Sequence, residues 1–126
     1  MNRQYKRIHT ELGYIEARRD AIFLDSFEQK GNNLCIIGEI NSIMCEKKSD
    51  KYEWYKYQLN ISGVKNYQAM GIEEFYSKEI PTTSAFSEVV KDNIDCNKAK
   101  TIIIETYDWA YIINCTIFEF VITGQR

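Results

Sequence analysis

The side chains of this chain that could do acid–base or nucleophilic work are few and poorly spaced for it. His9 is the only histidine, and the four cysteines are Cys35, Cys45, Cys96 and Cys115. A nucleophile needs a base within hydrogen-bond reach, and a structural zinc needs thiolate or imidazole ligands at short, characteristic spacing. One histidine in a charged N-terminal segment and cysteines without a CxxC pair supply neither. Carboxylate pairs are the remaining route to catalysis. Glu105 and Glu119 flank a turn near Asp108–Tyr111, but counting outward from that turn does not set them opposite each other. Glu73 and Glu74 are adjacent, which in an extended strand sends them to opposite faces. The six glycines are scattered singly, so no phosphate-cradling loop is written here. The expectation is a protein with no catalytic residue, no metal site and no cofactor.

Charge placement says more. The formal charge is −2, but residues 71–126 hold five basic and nine acidic side chains, whereas residues 1–30 and 31–70 each carry +1. No basic stripe interleaved with aromatics offers itself to phosphates, so direct nucleic-acid binding is not expected. An acidic C-terminal half suits a basic protein partner. The segment MNRQYKR lacks an apolar signal core, and no apolar run is long enough to span a bilayer. The sequence therefore predicts a cytoplasmic protein that neither crosses nor binds a membrane, with reduced thiols.

The elements that must position these residues read mainly as strands, with α+β as the alternative. The length of 126 residues fits one domain. Aromatics reach 13%, and Tyr, Phe and Ile favour a pleated surface. Tyr5, Ile8, Leu12 and Ile15 recur at helical spacing, so residues 1–19 are expected as an N-terminal helix or, failing that, an arm. Residues 20–126 form the antiparallel core. Asp20–Lys30 and Leu34–Cys45 make a hairpin about Gly31-Asn32-Asn33. Tyr52–Val64 alternates cleanly, with Tyr55, Tyr57, Leu59 and Ile61 on one face. Residues 65–83 are ambiguous between a short helix, lined by Ile72, Phe75, Tyr76 and Ile80, and an irregular strand. Ser84 caps a second short helix carrying Phe86, Val89 and Val90.

The densest apolar run, Thr101–Ile122, reads as the two central strands of the sheet, turning at Asp108–Ala110. Its apolar side switches between Ile117 and Phe118, which predicts either a β-bulge there or burial of both faces. The sum is an antiparallel sheet of five or six strands, curled or sandwich-like, with one or two short helices.

The stretches DAIFLDSFEQKGNNLCIIGEI, KYEWYKYQLNISGV and TIIIETYDWAYIINCTIFEFVI give the chain its likeness to known proteins. In strand order and residue flavour it resembles small bacterial immunity proteins of polymorphic and contact-dependent toxin systems. That resemblance implies a partner that is a toxin domain, bound tightly and blocked at its active site or at the access of its substrate. Charge and aromatic placement select Glu73, Glu74, Tyr76, Glu79, Glu105, Asp108 and Trp109 as the partner-binding surface. An alternative aromatic face, Tyr52 and Trp54, would suit a carbohydrate- or small-molecule-binding sandwich. A homodimer or homo-oligomeric structural protein is the third option.

Overall fold

The strand that centres one sheet is the one whose alternation is cleanest. In the computed structural model, which describes residues 4–48, 53–78, 84–90 and 99–125, β4 runs Trp54–Ser62 and buries Tyr57, Leu59 and Ile61. It pairs on one side with β3 (Asn33–Asn41), which forms a hairpin with β2 (Ile22–Lys30). Gly31 makes that turn in the left-handed region, at φ 59°. On its other side β4 pairs with β9 (Ile117–Gln125), completing a four-stranded antiparallel sheet ordered β2-β3-β4-β9. Tyr57, Leu59 and Ile61 stand opposite Ile122, Phe120 and Phe118, so all six share the inner face.

The second sheet has five strands, ordered β1-β6-β7-β8-β5. These are β1 (Gln4–Arg7), β6 (Phe86–Val90), β7 (Lys100–Glu105), β8 (Trp109–Cys115) and β5 (Asn66–Gly71). Every pairing in both sheets is antiparallel. Phe86, Ile102, Ile104, Ile113 and Cys115 face the first sheet and build the main core with it. The predicted mainly β, antiparallel class holds in its sandwich-like form, but the described residues form nine strands in two sheets and not the five or six expected.

Two chain segments pass side by side from one sheet to the other. β4 runs on into β5, and β8 runs on into β9, so a paired ribbon bends across the sandwich. Gly63 sits at the bend with φ 67°, and a Cβ there would collide with the Thr116 side chain. Thr116 donates its N–H to Ser62 O at 3.1 Å, and Lys65 N–H donates to Asn114 O at 2.9 Å. This bend corrects the expectation for Thr101–Ile122. That stretch is three strands, β7 and β8 in one sheet and β9 in the other. The apolar phase changes because the chain changes sheets at Thr116, a corner of the kind sandwiches make by bending a strand. Pairing continues without interruption from Ile117 to Ile122, and a register shift in this ladder falls at Lys56/Tyr57 instead.

The N-terminal helix is not formed. Gln4–Arg7 is a strand, Thr10 and Gly13 exchange backbone hydrogen bonds, and Gly13 has φ 78°. The helical spacing of Tyr5, Ile8, Leu12 and Ile15 has another cause. Ile15 is fully buried, bridges to Cys45 and accepts a hydrogen bond from Ala85 N–H, while Ile8 and Leu12 pack on the same core. Tyr5 packs in the other cluster. The segment therefore plugs one end of the sandwich, and tertiary burial overrides periodicity.

The helix expected from Ser84 is β6. Ser84 Oγ accepts from Phe86 N–H at 3.2 Å and donates to Phe86 O at 2.9 Å, a local loop bond and not a helix cap.

The ambiguous 65–83 region contains both alternatives, β5 followed by α1 (Ile72–Lys78). α1 buries Ile72 and Phe75 against Met70, Ile103 and Ala110 on the outer face of the five-stranded sheet. Glu73 and Glu74 lie in its first turn, where the helix dipole favours carboxylates, and Lys78 reaches Glu74 at 2.8 Å. No helix among the described residues is long and apolar enough to cross a membrane.

Candidate functional site

The β7–β8 turn and the N-terminal end of α1 meet at one end of the sandwich. Thr106 closes the turn: its N–H and Oγ both donate to Trp109 O, at 2.8 and 2.7 Å. Ile72 N–H, at the start of α1, donates to Asp108 O at 2.9 Å and fastens helix to turn. Of the residues selected from sequence, Glu73, Glu74, Tyr76, Glu105, Asp108 and Trp109 are thereby brought to this end. Glu79 and Tyr52 lie outside the described residues.

Glu105 is not part of the accessible surface. It is 1% exposed, on the face of β7 that α1 covers, and the Tyr76 hydroxyl hydrogen-bonds to it. Burial, followed by the charge of Glu105 and that hydrogen bond, pushes the Tyr76 phenol from 10.0 up to about 12, with Arg19 opposing. Such a group favours folding fully below the pH at which the unfolded phenol ionises, and that contribution is lost as pH rises toward the folded value. The stability gap between the parent protein and Tyr76→Phe is therefore expected to stay constant up to pH 10.0 and to narrow between there and about 12. Urea unfolding at a series of alkaline pH values measures it, and a gap that widened above pH 10.0 would contradict the Tyr76–Glu105 contact.

Sequence reasoning missed the residue at the centre of the site. Arg19 Nε donates to Tyr107 O at 2.9 Å, and its guanidinium lies 4.8 Å from the Tyr107 ring centroid. Its Nη1 and Nη2 are 3.8 Å from Glu73 and 3.8 Å from Asp108. One cation thus sits between two of the selected carboxylates. Glu74 is turned to Lys78, so the surface is less acidic than the sequence count suggests.

Trp54, the described member of the alternative aromatic face, is linked through Phe23 to the β7–β8 turn. Tyr107 stacks on Phe23 with centroids 5.7 Å apart, and Phe23 meets Trp54 at 5.4 Å. Trp54 Nε1–H donates to Glu53 Oε2 at 3.0 Å. The turn Ser42–Met44 adjoins this end through Ser42 N–H to Glu53 O, adding Ile43. Ile43, Tyr76, Tyr107 and Trp109, on the elements that meet at this end, are 45%, 38%, 46% and 49% exposed.

The chain matches no family model, no curated protein and no solved structure.

Elsewhere the chemistry-bearing side chains stay apart. His9 lies 3.4 Å from Glu46 and edge-on to Tyr14. Cys45 is buried, and its thiol is pushed up to about 12 by burial and then by the Glu16 charge, which suppresses the thiolate. Among the described residues no group of three potential metal ligands forms. A recess of about 400 Å³, lined by Glu28, Lys30, Asn33, Cys35, Asn60 and Ser62, lies at the opposite end of the sandwich, around the β2–β3 turn and the end of β4. It is remote from Trp54, and Trp54 leans on Phe23.

Proposed function

We propose that this chain is a non-catalytic, cytoplasmic protein-binding protein, an immunity protein that neutralises a bacterial toxin domain by covering its active site or the access of its substrate. The observation that carries this reading is the concentration of Ile43, Tyr76, Tyr107 and Trp109 at one end of the sandwich with Glu53, Glu73 and Asp108 around them. Exposed aromatics backed by a rigid sheet make interface anchors at low entropic cost, and surrounding carboxylates favour encounter with a basic partner. Thr106, the Ile72–Asp108 bond and the Phe23–Tyr107 stack hold these groups in place before binding.

The test begins from the gene directly upstream of this one. Where it encodes a large secreted protein, that protein's C-terminal domain is expressed with and without this chain. Growth arrest relieved by the parent chain is expected. Trp109→Ala should weaken binding by about 2 kcal/mol, roughly thirtyfold in affinity. If the domain binds and is neutralised equally well by Trp109→Ala and by an Asp108→Lys variant, this end is not the interface. If the parent chain neither binds nor protects, the immunity reading falls.

A further inference from the structure

The four-stranded sheet ends at β9, an edge unlike the other edges of the described sheets. β1 has four residues and carries Lys6 and Arg7. β2 is interrupted by a register shift between Leu24 and Ser26 and carries Asp25, Glu28 and Lys30. β5 has six residues and runs directly into α1. β9 has nine, pairs regularly with β4 from Ile117 to Ile122, and holds one charged side chain, Glu119. A long, apolar, regular edge is a template for another strand unless something blocks it. Its free main-chain groups can be placed. Ile122 N–H turns away from β4 and donates to Glu11 Oε1 at 3.2 Å. By the alternation of an antiparallel ladder, Phe118 and Phe120 also point their N–H and C=O outward. Among the described residues no hydrogen bond takes those groups.

A second copy is the strand that every solution of this protein offers, and two β9 edges would pair antiparallel about a two-fold axis. Each register of that pairing meets an obstacle. With the axis at Phe118 or before it, Thr116 must pair, and its N–H is already donated to Ser62 O at the corner. With the axis at Phe120 or beyond it, Ile122 must pair, and Glu11 holds its N–H. With the axis at Glu119, Phe118 and Phe120 of one copy meet Phe120 and Phe118 of the other freely. The two Glu119 side chains then stand directly opposite, where like charges destabilise a strand pair. Glu119 is exposed and its neighbour on β4 is the uncharged Asn60, so β4 supplies no charge there to offset the repulsion. We propose that Glu119 and Glu11 guard this edge against a second copy, so that β9 adds an antiparallel strand only where that strand sets a basic residue opposite Glu119.

The charge-swapped chain itself is the probe. Amide exchange at Phe118 and Phe120 is followed by NMR at low salt over a range of protein concentration, with sedimentation alongside. In the parent protein, and in Glu119→Lys alone, exchange at both amides is expected to be independent of concentration, because each pairing sets like charges together. An equimolar mixture of the two should associate about tenfold more tightly than either chain alone, slow exchange at Phe118 and Phe120, and come apart as salt rises. Glu11→Ala should let the parent edge self-associate by freeing Ile122 N–H, whereas Glu11→Gln keeps an acceptor and should stay closed. Phe118 and Phe120 amides that become protected in the parent as its concentration rises overturn the inference. So does a mixture that associates no better than its components, and Glu11→Ala behaving as the parent removes the role of Glu11. This edge is separate from the docking end, so the outcome leaves the reading of that end untouched.

Discussion

Gly38→Ala is expected to cost about 3 kcal/mol, the upper range for forcing atoms into a packed interior. Gly38 sits mid-strand in β3, between Leu24 of β2 and Tyr57 of β4. The Tyr57 hydroxyl reaches across it to donate to Phe23 O at 3.0 Å. A Cβ on Gly38 would stand 2.8 Å from that hydroxyl and closer still to the Phe23 carbonyl oxygen, which is backbone and has little freedom to yield. Elsewhere in a strand, alanine for glycine gains stability by restricting the unfolded chain, by about 0.4–1 kcal/mol where the backbone allows it. Gly124 in β9, with nothing within 4 Å of its notional Cβ and no positive φ, supplies that control in the same molecule. Urea unfolding of Gly38→Ala, Gly124→Ala and Tyr57→Phe separates the effects, since Tyr57→Phe alone should lose only about 1 kcal/mol. The Gly38→Ala/Tyr57→Phe double variant should cost less than the two singles together, because both act on one contact. A loss under about 1 kcal/mol for Gly38→Ala would mean that β2 moves aside freely, contrary to the packing around Tyr57.

How much of this was legible in the sequence depends on whether a side chain's role was local. The alternation of Tyr57, Leu59 and Ile61, and the hairpin about Gly31, are set by nearest neighbours and by turn chemistry, and they could be read directly. The helical spacing of Tyr5, Ile8, Leu12 and Ile15 misled because a plug segment buries residues wherever the sheets leave space, with no period of its own. Phe86, Val89 and Val90 misled for a related reason. In a five-residue strand, Phe86 belongs to the inner core, Val89 to the outer cluster, and Val90 to solvent, so a short apolar pattern carries no unique period. At the site, the acidic and aromatic residues of α1 and the β7–β8 turn were visible from charge and composition. Arg19 was not, since its contact with Tyr107 spans 88 positions. Phe23 likewise joins Trp54 to Tyr107 only through the facing of two sheets.

Phe86→Ala tests the facing of those sheets. The side chain is fully buried on β6, opposite Ile104, and its ring lies 5.7 Å from Phe118 and 5.3 Å from Phe120 on the other sheet. Phe120 in turn stacks on Tyr57 at 4.9 Å and 11°. Truncation removes the aromatic ring that β6 contributes to this cluster, and a loss of about 3–5 kcal/mol is expected. The upper part of that range follows from the surroundings. β9 is held by continuous pairing with β4 and by the corner at Thr116, so Phe118 and Phe120 cannot readily collapse into the vacated space. For a domain whose whole stability is about 5–15 kcal/mol, such a loss populates the unfolded state measurably. Thermal unfolding and amide exchange read it, with exchange accelerated in β6 and β9 together. Val89→Ala is the contrasting variant, because its side chain packs in the cluster under α1, on the face of the five-stranded sheet turned away from the four-stranded one. If Phe86→Ala and Val89→Ala lost similar stability and opened the same amides, Phe86 and Val89 would share one environment, as helical spacing from Ser84 had predicted. Distinct losses, with the Phe86 effect spreading to β9, require that successive residues of this segment alternate between the two cores.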